Sequence, residues 1–500
     1  MKKKVAILLV TLLVSYSSTH AQWAQIGQDI YGEAEEDLSG FSVSLSSDGS
    51  VMAIGAPGND GNGNENIGHV RVYKNIDGTW TQVGQDINGE AANDGSGASV
   101  SLSSDGAVVA IGASGNDGNG NQDTGHVRIY QNIDGTWTQV GQDIDGEAAN
   151  DFSGRSVSLS SDGSVVAVGA PSNEGNGILA GHARIYQNIN GIWVQIGQDI
   201  DGEAALDLFG WPVSLSSNGL VVAIGASRND GNGESSGHVR IYQNINGTWT
   251  QIGQDIDGEA AFDFSGRSVS LSSDGSVVAI GAFFNDGNDN EEAGHVRIYQ
   301  NIDGTWTQVG QDIDGEAASD QSGLSVSLSS DGVVVAIGAV GNDGNGESSG
   351  HVRIYQNING TWTQIGQDID GEANDLSGSP ISLNSNGSIV AIGATNNNGN
   401  GTRAGVVRVY GDVTLGISEY SNLGISIYPN PTKGIINLKF INNNSPQVSI
   451  YDITGRIIYN KPFLMNNNPL QIDLAHFKNG IYIIKIQEAN KVLTSKIVKE

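Results

Sequence analysis

The residues best suited to chemistry in this sequence are Asp and Asn side chains that alternate with glycine. The clearest examples fall in two short segments, as Asp60, Asn62 and Asn64 and as Asp117, Asn119 and Asn121. Alternating oxygen ligands are typical of sites for hard cations, and the intervening glycines let the chain wrap tightly. The leading aspartate recurs as Asp230, Asp286 and Asp343, so calcium is the one cofactor that the residues suggest. Because Asn, Asp and Gly also favour turns, a solvated loop and a loop that contacts a partner directly are the alternatives.

A second candidate site comes from one position at which seven related segments differ. The residue stands just before an SVSL-type segment and reads, in chain order, Phe41, Ala98, Arg155, Trp211, Arg267, Leu324 and Ser379. Trp211, together with Arg155 and Arg267, could stack on a sugar or peptide and hydrogen-bond to it. We therefore predict a ligand site formed by Phe41, Arg155, Trp211, Arg267 and Leu324. Drift at a tolerant position is the alternative.

A third set, represented by His126, Arg128 and Asp143, recurs in most copies. An enzyme normally needs one asymmetric site, so a set present in most copies favours a packing role in which the buried Arg finds a carboxylate. The chain contains no HExxH, no nucleophile motif and no phosphate-binding loop. We predict no catalytic residue. The alternative is an extracellular polysaccharide lyase or hydrolase whose acids the sequence does not single out.

The elements that must position these residues follow from a repeat of 56 or 57 residues. One tryptophan marks each copy, namely Trp23, Trp80, Trp137, Trp193, Trp249, Trp306 and Trp362. Each copy contains two alternating hairpins centred on Asp-Gly or Asn-Gly, a pair that favours the type I′ turn. Leu102 should pair with Val109, and His126 should face Asp143. Two hairpins in each copy predict an all-β, seven-bladed β-propeller of four-stranded antiparallel blades.

The phase of the repeat predicts how the propeller closes. After the last third strand, residues 405–410, no WTQIGQD segment follows, and the missing segment stands at residues 23–29. We expect this N-terminal strand to complete the last blade and leave no exposed edge. The long acidic loops should emerge on one face, with the variable position near the channel mouth, and the tight SSDG and IDGT turns on the other.

Charge and composition exclude several classes of function. The chain has 500 residues, with 55 Asp and Glu against 24 Lys and Arg and a formal charge of −31. Nine of the basic residues fall in residues 425–500. So negative a field repels nucleic acid, and we predict no nucleic-acid partner. The absence of cysteine excludes disulfides and thiol chemistry.

The first residues predict export. Three lysines at residues 2–4 precede the apolar run VAILLVTLLV and a small-residue cleavage site at Ala21, which is typical of a signal peptide. The apolar run is too short for a membrane span, and no later stretch is long and apolar enough. We expect an exported, monomeric protein that is not an integral helical membrane protein.

Short motifs in the repeats read GAP at residues 55–57 and 169–171 and FG at residues 209–210. Over residues 22–411 the chain resembles the FG-GAP repeat, the blade of integrin α-subunit propellers, which implies the propeller fold. Family blades that bind calcium carry a DxDxDG-type loop between the first two strands. Here that place is a tight SSDG or SSNG turn, so the family's calcium loop is not carried over.

Residues 425–500 differ in composition from the repeats and carry their own markers. These are Tyr428, Pro429, Asn430, Pro431, Gly455, Gly480 and Tyr482. In order and spacing they resemble the type A C-terminal sorting domain of the type IX secretion system. The resemblance implies passage across the outer membrane with that machinery as partner, after which the domain is usually removed. Alternating strands with Asn-Pro and Thr-Gly turns predict a small β-sandwich.

The sequence thus predicts four segments: a signal peptide over 1–21, a propeller over 22–411, a linker over 412–424 and a sorting domain over 425–500. Long loops on a rigid scaffold are the usual binding surface. We therefore predict a secreted or cell-surface module for adhesion or for binding of a glycan or protein ligand.

Overall fold

The computed structural model describes residues 22–63, 65–287, 290–412, 425–428, 432–440, 447–452, 456–462, 469–478, 480–488 and 491–499. The predicted signal peptide and residues 413–424 of the predicted linker lie outside them. The described residues divide into two compact units, one of Trp23–Asp412 and one that includes Val413–Glu500. Besides strands they include the short 3-10 turns Gly61–Gly63 and Gly118–Gly120. No helix among them has the length and apolar character that a membrane crossing requires.

The unit Trp23–Asp412 consists of seven antiparallel sheets built on one plan, called blades 1 to 7 below. The inner strands, in blade order, are Ser42–Leu45, Ser99–Leu102, Ser156–Leu159, Val213–Leu215, Ser268–Leu271, Ser322–Leu328 and Ile381–Leu383. The second strands are Val51–Ala56, Val108–Ala113, Val165–Ala170, Val221–Ala226, Val277–Ala282, Val334–Ala339 and Ile389–Ala394. The third strands are His69–Ile76, His126–Ile133, His182–Ile189, His238–Ile245, His295–Ile302, His351–Ile358 and Val406–Asp412.

The fourth, outer strand of each blade is divided into two segments that both pair with the third strand. The first segments are Thr79–Gln82, Thr136–Gln139, Ile192–Gln195, Thr248–Gln251, Thr305–Gln308, Thr361–Gln364 and, in blade 7, Trp23–Gln25. The second segments are Ile87–Asn88, Ile144–Asp145, Ile200–Asp201, Ile256–Asp257, Ile313–Asp314, Ile369–Asp370 and, in blade 7, Ile30–Tyr31. The predicted all-β fold of seven four-stranded antiparallel blades is confirmed.

The two hairpins of a blade differ in how well the sequence predicted their register. In the inner hairpin Leu102 pairs with Val109, as expected. In the outer hairpin His126 faces Asp145, so the predicted pairing with Asp143 was wrong by two residues. The chain leaves the ladder at Gly141, whose φ is 78°. This bulge turns the carbonyl of residue 140 toward the next blade, where it accepts a hydrogen bond.

A tryptophan on the outer strand ties each blade to the one before it. In blade 4 the buried Trp249 donates from Nε1 to the carbonyl of Ile196 in blade 3, at 2.8 Å. The side chain of Gln198 accepts from the Trp249 backbone N–H at 3.1 Å and donates to its carbonyl at 2.7 Å. Equivalent indole bonds are made by Trp80, Trp137, Trp193, Trp306, Trp362 and, in blade 7, Trp23.

Substituting Trp249 should therefore show how much this bond contributes. Trp249→Phe keeps most of the buried ring but leaves the Ile196 carbonyl without its donor, so we expect a loss of about 1–3 kcal/mol in the free energy of unfolding. Trp249→Ala also opens a cavity and should cost about 3–5 kcal/mol. Chemical denaturation measures both, with Ala in place of the exposed neighbour Thr248 as control. A Phe variant as stable as the parent would contradict the assigned role of the indole N–H.

Blades 7 and 1 are joined by the same contacts as the other neighbours. The N-terminal strand pairs with the third strand of blade 7, with Trp23 opposite Asp412. Met52, Trp80 and Val407 share one buried cluster between the two blades. At the channel, backbone N–H groups of the turn serines donate to the next blade in a continuous circuit, through Ser47, Ser104, Ser161, Ser217, Ser273, Ser330, Ser385 and back to Ser47.

The C-terminal unit, described by itself, contains two antiparallel sheets. One has the strands Ile425–Tyr428, Ile435–Phe440 and Leu470–Asp473, and the other has Gln447–Asp452, Ile457–Pro462, Gly480–Glu488 and Lys491–Lys499. Both sheets contribute to one apolar cluster that includes Leu438, Ile450, Tyr482 and Ile484, as a β-sandwich requires. Gly480 begins a strand, and the Tyr482 hydroxyl donates to the Lys478 carbonyl at 2.6 Å. Of the other predicted markers, Pro429, Asn430, Pro431, Gly455 and the Tyr428 side chain lie outside what is described.

Candidate functional site

The seven residues of the variable position line one pocket of about 490 Å³. The structure therefore brings Phe41, Arg155, Trp211, Arg267 and Leu324 together, with Ala98 and Ser379 completing the ring. Val340 and Thr395 also line the pocket, and each directly follows a second strand, where a long loop begins. At the other end of the inner strands, the turn serines line a narrower space of about 150 Å³. The variable position thus lies at the channel mouth on the face of the long loops.

Trp211 is the centre of this pocket. The guanidinium carbon of Arg267 lies 4.1 Å from the centroid of its indole ring, and that of Arg155 lies 4.5 Å away. Arg155 also lies over the ring of Phe41, at 5.5 Å, across the small side chain of Ala98. Cation–π contacts of this length orient both guanidinium groups. Three blades thus hold two cations and an indole in a fixed cluster.

Neither pocket arginine has an acidic partner among the described residues. Within the described residues, Arg155 and Arg267 form no ion pair and no side-chain hydrogen bond. Both side chains are half-buried. Burial and the charge of Arg155 lower the pKa of Arg267 to about 10, and burial lowers the pKa of Arg155. Both therefore stay protonated at neutral pH, close together and without a counter-charge.

The arginines of the third strands behave differently, because each one pairs with at least one carboxylate. They are Arg71, Arg128, Arg184, Arg240, Arg297, Arg353 and Arg408. Arg71 donates from Nε and Nη2 to both oxygens of Asp86, at 3.0 and 2.9 Å. Burial opposes this ionisation, but the bonds from Arg71 lower the pKa of Asp86. Arg128 instead donates to the Asn88 carbonyl of the preceding blade at 2.9 Å.

In blades 1 to 6 the arginine lies beside a buried histidine and acidic residues, a group that could hold a metal ion, whereas blade 7 has Val406 in place of the histidine. Glu33, His69 and Asp86 form the first such cluster, with ligand atoms within 4.8 Å of one another. Arg71 pairs with both of its acids, so the guanidinium already supplies the cation. Burial and Arg71 also lower the pKa of His69, which keeps the imidazole neutral. The arrangement supports the packing role predicted for the repeated His, Arg and Asp.

The loop aspartates predicted as calcium ligands have one role in the described structure. One carboxylate oxygen of each accepts a backbone N–H of its own loop at 2.7–3.0 Å, in the case of Asp60, Asp117, Asp230, Asp286 and Asp343. This is the bond expected of a turn-forming aspartate. Asn121 is exposed, and Asn64 and the side chains of Asn62 and Asn119 lie outside what is described. Calcium binding stays a prediction.

Sequence reasoning missed a set of buried aspartates in the other long loops. Asp94, which is 2% exposed, accepts the backbone N–H groups of Glu90 and Ala91 and the side-chain amide of Asn116. The pair recurs in every blade, with Asp37, Asp151, Asp207, Asp263, Asp320 and Asp375 in the place of Asp94. The sequence contained a signal for this Asp–Asn pair, since the aspartate and the asparagine are identical in all seven copies while their neighbours vary. Part of the loops' acidity therefore serves the fold.

A concavity of about 570 Å³ on blade 5 was also not predicted. It is lined by acids and by two exposed or half-buried rings, Phe262 and Phe284. Phe284 packs on Phe283 with ring centroids 4.1 Å apart. The adjoining residues 288 and 289 lie outside what is described, and we assign this concavity no role.

The seven four-stranded sheets and their common channel define the Trp23–Asp412 unit as a β-propeller. Residues 200–242 match the FG-GAP repeat, and residues 426–500 match the secretion system C-terminal sorting domain. The chain thus contains an FG-GAP repeat within a propeller and a type IX secretion sorting domain, and that domain implies the type IX machinery as its partner in export. Its destination is the cell surface or the medium.

Three solved structures illustrate what the propeller is similar to. A proposed 6-phosphogluconolactonase from Bacteroides uniformis has 14% identity and a TM-score of 0.46. The alignment covers 67% of this chain and 86% of that protein. A proposed 6-phosphogluconolactonase from Bacteroides fragilis has 13% identity, a TM-score of 0.46 and coverages of 67% and 85%. The periplasmic gluconolactonase of Pseudomonas aeruginosa has 15% identity, a TM-score of 0.42 and coverages of 66% and 85%. No curated protein matches the sequence.

Proposed function

We propose that the exported chain is a binding or adhesion module whose propeller holds a glycan or protein ligand at the channel mouth on the long-loop face. The observation that carries this proposal is the Trp211 cluster. In a scaffold of seven nearly equivalent blades, one pocket breaks the equivalence by placing an aromatic ring and two unpaired cations side by side. Pockets with a few convergent polar groups and an aromatic anchor are the usual ligand sites of rigid scaffolds.

Replacing Trp211 with Ala should weaken ligand binding by at least about tenfold, because buried aromatic anchors commonly contribute 2 kcal/mol or more. Alanine is the residue that blade 2 carries at this position, as Ala98, so the fold should tolerate the change. The measurement is retention of the purified protein on panels of polysaccharides and surface proteins, followed by affinities for each hit. Leu220→Ala is the matched control, since this exposed apolar residue follows a tight turn.

Two results would count against the proposal. Unchanged affinity of the Trp211 variant for every hit would move the binding site elsewhere. Release of products from a polysaccharide by the parent protein would indicate the enzymatic alternative, whereas retention without products favours a binding module.

A further inference from the structure

The pocket carries positive charge on a strongly negative protein. The chain has a formal charge of −31, yet Arg155 and Arg267 meet no carboxylate among the described residues, while every third-strand arginine does. Their two charges repel one another across Trp211, and each is half-exposed to the pocket. An anionic group in the pocket, within reach of the guanidinium groups, would offset this repulsion and form charge-assisted hydrogen bonds. The pocket is therefore built for a negatively charged ligand group.

The opposite side of the pocket is apolar and carries hydroxyl groups. Leu324, Leu376 and Val340 supply the apolar surface. The half-buried Ser379 and Thr395 line the same wall, and their hydroxyls make no hydrogen bond within the described residues. Free hydroxyls beside an apolar surface suit a ring with its own hydroxyls and an apolar face, which is the surface of a sugar.

The charge of the whole protein limits how much negative charge the ligand can carry. The formal charge is −31, so a ligand with many negative charges is repelled as it approaches. A ligand with one carboxylate at its tip meets less repulsion, and that carboxylate can form charge-assisted hydrogen bonds with the pocket arginines.

We propose that the pocket takes one acidic sugar unit, a hexuronate-type ring whose carboxylate binds Arg155 and Arg267 and which enters from a chain end. The ring hydroxyls face Ser379 and Thr395, and its apolar side packs on Leu324. This inference rests on the proposed function, because it names the class of ligand for the same pocket.

The test compares acidic sugars with their neutral counterparts on the full exported protein. Calorimetry or ligand-observed NMR is carried out with glucuronate, galacturonate, mannuronate and guluronate and with the four corresponding hexoses. We expect at least one uronate to bind at least about tenfold more tightly than its hexose, since a hydrogen bond between charged groups is worth at least that factor. Arg155→Gln and Arg267→Gln should each weaken binding of that uronate by a similar factor. Arg228→Gln, an exposed arginine of blade 4 that does not line the pocket, should leave it unchanged.

The other outcomes separate this inference from the proposed function. Equal binding of uronate and hexose, lost in Trp211→Ala, overturns the acidic ligand and leaves the binding site in place. Arginine-dependent binding of a short peptide with one aspartate, without binding of any uronate, overturns the sugar and favours a protein ligand. If no uronate binds while the wider panels yield a ligand that depends on Trp211, only the inference fails. If the Trp211-dependent ligand is also missing, both fail.

Discussion

Removing residues 22–31 is expected to abolish cooperative folding of the propeller. These residues supply the whole outer strand of blade 7, including Trp23, which is 4% exposed. Its indole donates to the Ile365 carbonyl at 3.0 Å, and its backbone carbonyl accepts from Gln367 at 2.9 Å. Without the segment, the third strand of blade 7 becomes an open edge, and the cluster around Val407 loses Ile30. Trp23→Ala alone should cost about 3–5 kcal/mol of unfolding free energy.

A circular permutant is the matched control for this deletion. In it, the chain starts at Glu36, and residues 23–35 are moved to follow Asp412. A linker of four residues, Ile-Asp-Gly-Thr, connects Asp412 to Trp23; the same four residues connect Asn132 to Trp137 in blade 2. The new ends lie among exposed residues of a long loop, where breaks are tolerated. Circular dichroism and denaturant titration should show a permutant as cooperative as the parent. A deletion variant that unfolds with the parent's midpoint and steepness would refute the role assigned to the N-terminal strand.

The register of the inner hairpin was predictable because two local signals agree. The alternation of Val100 and Leu102 fixes which side faces the neighbouring blade, and the Asp-Gly turn fixes the pairing with Val109. The break at Gly141 was not predictable from those signals. It depends on Trp193 of the next blade, whose indole N–H donates a hydrogen bond to the carbonyl of residue 140. Alternation within one segment carries no information on such contacts between blades.

The pocket was predicted from a different kind of signal, the disagreement among seven copies. That disagreement located Arg155, Trp211 and Arg267 at one end of the channel, where the structure places them. It did not indicate that the two arginines lack a carboxylate, because the sequence around them is rich in acids. The two acids that precede Arg155 in its loop are engaged elsewhere, Asp151 with Asn173 and Glu147 with Arg184. Which acid neutralises which arginine is decided by contacts between side chains that are far apart in the sequence, as with Glu147 and Arg184.

Acid should destabilise the propeller through its buried histidines. Burial, together with a neighbouring arginine, lowers the pKa of His69, His126, His182, His238, His295 and His351. Above a pH of about 6.5, the pKa of histidine in an unfolded chain, the imidazoles are neutral in both states and contribute no pH dependence. Below that pH the unfolded chain binds protons that the folded chain cannot, so stability falls until the folded pKa is reached. For His351 that value is about 4.

Replacing His351 with Val isolates this effect, because blade 7 carries the buried Val406 at the same position. The Nε2 of His351 has no hydrogen-bond partner within the described part of the chain, so the substitution should not cost stability at pH 7. Between pH 7 and pH 4.5 the parent should lose roughly 2–3 kcal/mol more unfolding free energy than the variant, as expected from the pKa difference of one histidine. Denaturant titrations across this range measure the difference. The reciprocal change, Val406→His, should steepen the acid dependence, since it places an imidazole beside Arg408; parallel curves for the parent and both variants would mean that these histidines do not control acid stability.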